Sequence, residues 1–240
     1  MWRDHRPYFM KRMSLRYREW YVEHFLRPQF TSFGHGQTFM KPWYMEVFGG
    51  PISMGSFTDV ICTPDRRVRV TVWSDKPDAP GIRIGDHCLI CPGVRISAAW
   101  EITIGNACMM ASNVYITDSD WHGIYDRVEP LENAHPIRIG NNVWLGDDSM
   151  VCKGVSIGDN SILGARSVAT RDIPPNSVAA GNPAVIVNEI DPNRPMRTRA
   201  DWFADPEDLF YRITQMDRDM LRGNTILGWL RALLFPKVGD

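Results

Sequence analysis

A mainly β chain wound as a parallel β-helix, with helical appendages at both ends, is the fold class that the sequence predicts, and three observations predict it. An aliphatic or small residue recurs every six positions at Ile139, Leu145, Val151, Ile157, Leu163 and Ala169, and an earlier block keeps the rule at Ile84, Ile90, Ile96 and again at Ile104, Met110, Ile116. The position two before each of these is also apolar or small, as at Ile82, Cys88, Val94, Ile102, Cys108, Val114, Ile137, Val143 and Val155. Glycine follows the aliphatic at Gly85, Gly105, Gly140, Gly146, Gly158 and Gly164. Residues two apart share a face of a strand, so each hexad reads as a short strand with two inward side chains, followed by a turn. Three such strands close one coil, and coils stack about 4.8 Å apart. A sandwich does not hold one six-residue phase through six turns.

Taken in order, residues 1–47 read as a helical and irregular segment, in which Ser14 could cap a helix with the stripe Tyr17, Trp20, Tyr21, His24 and Phe25. The β-helix domain is assigned to 48–187. Val47 to Val60 looks like a degenerate first coil, and Val68 to Trp73 alternates as a strand. Two extra residues near Ala98 to Trp100 imply a bulge at a corner. Residues 117–136 break the phase as an inserted loop. A C-terminal helical extension, 188–240, begins a helix at Asp205-Pro206-Glu207-Asp208 with the stripe Leu209, Ile213, Met216 and Met220. The apolar run Ile226 to Phe235 is too short to cross a bilayer. Packing against the protein is its expected role, with contact at a membrane interface as the alternative.

Composition excludes several classes. Twenty-seven basic against twenty-eight acidic residues leave a net charge of -1, with no excess suited to a nucleic-acid backbone. The N-terminus has no apolar stretch behind a basic start, so the expected location is cytoplasmic. Five cysteines, an odd number without zinc-ribbon spacing, read as packed thiols; Cys88 and Cys91 form a C-x-x-C pair with no second pair to match it. No metal is expected.

The loop is where chemistry is expected, because its residues leave the inward pattern and must project from a rigid scaffold. His122 follows Trp121 where the chain leaves the coil. A neutral imidazole has the pKa to take a proton from a hydroxyl at neutral pH, and a backbone N–H can hold the oxyanion of an attacked thioester. Asp118, Asp120 or a backbone carbonyl could hold the other ring nitrogen. Trp121 and His135 are the candidate acceptor contacts, His135 alternatively serving only to shape the loop rim beside Pro136.

The run "IGNNVWLGDDSMVCKGVSIGDNSILGARSVATRDIPPNSVAAGNPA", Ile139 to Ala184, resembles the C-terminal coils of galactoside, maltose and related hexapeptide-repeat O-acetyltransferases, and the resemblance extends over about Ile82 to Val187. It implies a left-handed coil, a homotrimer, and acetyl-CoA as acyl donor in the groove between neighbouring coils. His122 then falls in the place of the family's base, and Trp144, Asp147, Ala165, Thr170 and Arg171 in the places of its CoA contacts. Arginines that relatives carry after the "GNPA" turn are replaced here by Val185 and Asn188, which leaves Arg166 as a possible aid to Arg171 at the phosphates. The implied activity is transfer of an acetyl or short acyl group to a hydroxyl of a sugar or glycan precursor. Transfer to an amine or xenobiotic and a nonenzymatic trimeric scaffold are the rivals. A γ-type carbonic anhydrase shares the coil but needs a pair of metal-binding histidines five residues apart, and no pair here has that spacing.

Overall fold

Hexads in one phase leave few choices to the backbone, and the computed structural model, which describes residues 3–74, 76–128 and 134–240, is wound accordingly. Strands join every third neighbour into three parallel sheets, the faces of a prism. The first face stacks Ser32–Phe33, Ile52–Met54, Gly81–Ile84, Glu101–Ile104, Ile137–Ile139 and Ser156–Ile157. The second stacks Thr38–Met40, Asp59–Ile61, Leu89–Ile90, Met109–Met110, Trp144–Leu145, Ile162–Leu163 and Ser177–Gly181, closed by Ala184–Glu189 running antiparallel to its neighbour. The third stacks Met45–Phe48, Val68–Val72, Arg95–Ala98, Tyr115–Thr117, Met150–Val151 and Val168–Ala169. This is a mainly β, parallel coil.

Register explains the core. Ile52, Ile82, Ile102 and Ile137 align across the first face, as Ile90, Met110, Leu145 and Leu163 do across the second, all at 0 or 1% exposure. Each such side chain contributes about 1.5–3 kcal/mol on burial. Corners are made by residues that accept a left-handed backbone: His87, Ala107, Asn142, Asn160 and Asn176 have φ between +54° and +59° at successive first–second corners. A side-chain ladder runs beside them. The N–H of Ser56 donates to Asp86 Oδ1 (2.7 Å), that of Asp86 to Asn106 Oδ1 (2.8 Å), that of Asn106 to Asn141 Oδ1 (2.9 Å) and that of Asn141 to Asp159 Oδ1 (2.7 Å). Glycine precedes because nothing larger fits: a Cβ on Gly105 would stand 2.6 Å from the Gly140 carbonyl oxygen.

The ladder also takes in residues 32–47, which the sequence reading assigns to the N-terminal segment: Met45–Phe48 pairs in register with Val68–Val72, Met45 opposite Val68. Its second–third corner is built on Lys41 (φ 54°), where the asparagine or glycine signal is missing, while its first–second corner keeps a glycine, Gly36 (φ 70°). The chain divides into two compact units, Tyr21–Asp201 and a second made of Met1–Trp20 with Trp202–Asp240. Residues 188–201 therefore belong with the coil, tied by Arg199, whose Nε donates to the His87 carbonyl (2.9 Å) and whose guanidinium pairs with Asp59.

In the second unit Lys11 Nζ meets Asp217 Oδ1 at 2.5 Å, and Asn224 Nδ2 donates to the carbonyls of Asp4 and Arg6. Helix Pro206–Met220 is capped as expected by Asp205, which accepts from the Asp208 N–H (3.0 Å). Its stripe is a different matter: Leu209 is buried, while Ile213, Met216 and Met220 face solvent in the single chain. Helix Ile226–Leu234 follows, capped by Thr225. The N-terminal helix spans Tyr8–Tyr21 behind Pro7, with Ser14 inside it rather than at its start. Residues Val22–Leu26 continue as a π-helix, whose wider turn shifts the phase. Val22 and Leu26 are consequently the buried pair, and Trp20 and Phe25 stay half exposed. No helix among the described residues is long and apolar enough to cross a membrane.

Candidate functional site

The inserted loop leaves the third face after Thr117 and returns to the first face at Ile137, so it issues from a third–first corner. Residues 129–133 of this loop lie outside the described residues. Its root is built on Asp118, which is fully buried. Oδ1 accepts from the Ala99 N–H (2.7 Å), and Oδ2 accepts from those of Trp100 and Glu101 (2.8 Å each). The predicted bulge at Ala98 to Trp100 is thus satisfied by a carboxylate from the next coil. Burial pushes the Asp118 carboxyl above its usual range, and the three N–H bonds offset part of that rise. The Asp118 carbonyl in turn accepts from the His135 N–H (2.8 Å), and the His135 carbonyl accepts from the Gly154 N–H (3.0 Å). Departure and return of the loop are clamped to the same corner.

Next along the chain, Trp121 takes a left-handed backbone (φ 66°), with its N–H donating to Ser119 Oγ (3.0 Å) and its indole Nε1–H to Thr117 Oγ1 (3.1 Å). Thr117 donates to the Ser119 carbonyl (3.1 Å). Asp120 pairs with Lys153 on the following coil (2.6 Å). These bonds hold the root of the loop and present His122 as an exposed side chain just beyond it. Neither carboxylate is bonded to the imidazole: Asp118 serves the backbone and Asp120 serves Lys153. The hexad pattern gives no sign of Thr117 and Lys153 as supports, because one ends an ordinary strand and the other fills a corner.

The residues matched to CoA contacts fall in three places. Trp144 projects from the second face between Met109 and Ile162. Asp147, Ala165 and Arg166 lie at second–third corners; Asp147 Oδ1 accepts from the Ser112 N–H (2.8 Å), and its carbonyl accepts from the Arg166 N–H (2.7 Å). Arg166 sits at φ 56° with its Nε 3.9 Å from Asp148. Thr170 and Arg171 are exposed at a third–first corner, on the same edge of the prism as the His122 loop. The single chain therefore brings His122, Thr170 and Arg171 to one edge and leaves Asp147, Ala165 and Arg166 on another. Among the described residues no group of three or more His, Cys, Asp or Glu is placed to hold a metal ion.

Comparison with known proteins follows the repeat. Residues 136–171 match the model of the bacterial transferase hexapeptide (six repeats), and 81–118 match that of the hexapeptide repeat of succinyl-transferase. Galactoside O-acetyltransferase of Escherichia coli K12 is 42% identical over 112 residues, covering 46% of this chain and 55% of the relative. The putative colanic acid biosynthesis acetyltransferase WcaF of the same organism is 32% identical over 127 residues, covering 45% of this chain and 70% of that protein. This chain thus spans little more than half the length of the first of these relatives. Among solved structures, AntD, an N-acyltransferase from Bacillus cereus in complex with dTDP and 3-hydroxybutyryl-CoA, superposes with a TM-score of 0.56 at 14% identity, over 80% of this chain and 96% of that one. At that identity the likeness is one of fold.

Proposed function

Since this chain belongs to the hexapeptide-repeat acyltransferases, we propose that it transfers an acetyl or short acyl group from acyl-CoA to a hydroxyl of a sugar or glycan precursor, with His122 as general base. The observation that carries the reading is the break in the ladder after Thr117, whose bonded root sets the His122 imidazole outside the coil on the edge that also carries Thr170 and Arg171. In this reaction an imidazole nitrogen takes the hydroxyl proton as the oxygen bonds to the thioester carbonyl carbon. A backbone N–H holds the resulting oxyanion, and collapse breaks the carbon–sulfur bond. The imidazolium then returns its proton to the departing thiolate, releasing CoA as a thiol.

In the same proposal the coil is left-handed, the protein is a cytoplasmic homotrimer, and the coil domain, appendages and loop act as separate parts. In such a trimer a neighbouring protomer completes the geometry. CoA lying between two prisms meets the edge of one and a different edge of the next, so Trp144, Asp147, Ala165 and Arg166 can join Thr170, Arg171 and His122 around one ligand. Asp118 and Asp120 act in this reading by holding the loop, and Trp121 and His135 flank the acceptor.

Purified protein given acetyl-CoA and a panel of sugars, with amines as controls, and followed by free-thiol release, tests this. His122→Ala is expected to lose about 10²–10⁴-fold in rate with unchanged thermal unfolding. A folded variant at near wild-type rate would remove His122 from the mechanism, and thiol release with amines alone would replace the hydroxyl acceptor.

A further inference from the structure

Most second–third corners turn in four residues, as at 91–94 and 111–114, but the one between Asp59–Ile61 and Val68–Val72 uses six, 62–67. The longer turn is closed by two backbone bonds, Thr63 N–H to the Arg66 carbonyl (3.3 Å) and Arg66 N–H to the Thr63 carbonyl (3.2 Å). With Gly93 and Asn113 of the next two corners it borders an open cavity of about 300 Å³ that is also lined by Pro64, Asp65, Arg66, Arg67 and Arg69. In register beside Arg69 stands Arg95, its guanidinium 4.5 Å over the Tyr115 ring. Four arginines thus gather on two successive coils of a chain whose net charge is only -1. Ion pairing covers them in part: Glu46 meets Arg69 at 3.0 Å and Asp65 lies 3.8 Å from Arg66, while Arg67 has no ion pair among the described residues.

Guanidinium groups converging on one concavity repel each other and focus a positive potential there, and their planar forks match the oxygens of carboxylate and phosphate. Position adds a second argument. Arg69, Arg95 and Tyr115 stand in one row across the third face, and the strand of Tyr115 ends at Thr117, where the His122 loop departs. From the Asn113 corner to Thr117 is four strand steps, about 13 Å. An extended glycan is long enough to touch both.

We propose that the cavity lined by Arg66, Arg67 and Arg69 is an anion subsite for the acceptor, taking a carboxylate or phosphate of a glycan whose neighbouring sugar hydroxyl lies at His122. The subsite rests on the sugar-acceptor reading above, and binding measured without turnover separates the two. Calorimetry on the full chain compares trigalacturonate as carboxylate probe, glucose 1-phosphate as phosphate probe and maltotriose as neutral control, for wild type and the Arg66→Ala/Arg67→Ala double variant. One anionic probe is expected to bind at least about ten-fold more tightly than maltotriose, to weaken at least about ten-fold in the double variant, and to weaken with added salt. Which probe binds identifies the group. The Kd for acetyl-CoA is expected to change less than about two-fold, a shift within the range of a lost exposed charge contact. The subsite is overturned if neither anion outbinds maltotriose, or if acetyl-CoA weakens in parallel, which would give the cavity to the donor. Anion binding with no thiol release from acetyl-CoA across the whole panel of sugars and amines would instead sink the transferase reading and leave the subsite standing.

Discussion

Replacing Asp118 by Ala removes the acceptor of three backbone N–H groups, one of them on the buried Ala99, at 2.7–2.8 Å. Hydrogen bonds to a charged group are worth about 1.5–3 kcal/mol each, which sets an upper bound for three of them. Two terms reduce it. The variant no longer buries a charge, and the half-buried Trp100 and Glu101 can recover some hydration. A net loss of about 3–5 kcal/mol remains, the usual size for orphaning one side of a buried charged contact. In a domain of this length that corresponds to a drop in Tm of about 6–20 °C. Urea unfolding at fixed protomer concentration measures it. Asp118→Asn keeps one carbonyl oxygen but turns an N–H₂ toward a backbone donor, so it should fall between Ala and wild type. A loss below about 1 kcal/mol for Asp118→Ala would show that the bulge at 99–101 does not need its carboxylate, and the account of the loop root would fail.

Asp118 also gives a pH signature. Its folded pKa is raised, so the folded protein binds more protons than the unfolded chain from about the ordinary carboxyl value up to the raised one, and the Asp118 contribution to stability falls as pH rises through that window. The wild-type minus Asp118→Asn difference in unfolding free energy should therefore shrink as pH rises there, and a difference that grows would reverse the assigned cause. Gly105→Ala would place a Cβ 2.6 Å from the Gly140 carbonyl oxygen and 2.7 Å from its carbon. Both are backbone atoms that cannot swing aside, so a loss of about 1–3 kcal/mol is expected in denaturant melts, and an unchanged midpoint would mean that the coils can separate locally.

The hexad columns were legible because a single phase, once found, assigns every inward position: Ile139, Leu145, Val151, Ile157, Leu163 and Ala169 are all 4% exposed or less. The coil at 32–48 escaped because aromatic side chains, Phe33 and Phe39, stand where aliphatics are expected and the left-handed Lys41 replaces a usual corner residue. The N-terminal stripe was misplaced by the π turn, which no 3.6-residue periodicity can anticipate. At the site, the interrupted repeat marks the loop and singles out His122, but the partners of Asp118 are backbone amides nearly twenty residues back, a relation that leaves no side-chain pattern to read. The arginine cavity likewise combines residues from three coils that only stacking brings together.

The hairpin formed by Ser177–Gly181 and Ala184–Glu189 has a consequence for assembly. A prism of parallel strands offers at its last lap a row of open amides and carbonyls, on which another copy could continue the winding without limit. Here one of the three sheets finishes on a strand that runs the opposite way. An incoming copy would find two sides in step and the third reversed, a mismatch that opposes continuing the winding by end-to-end addition.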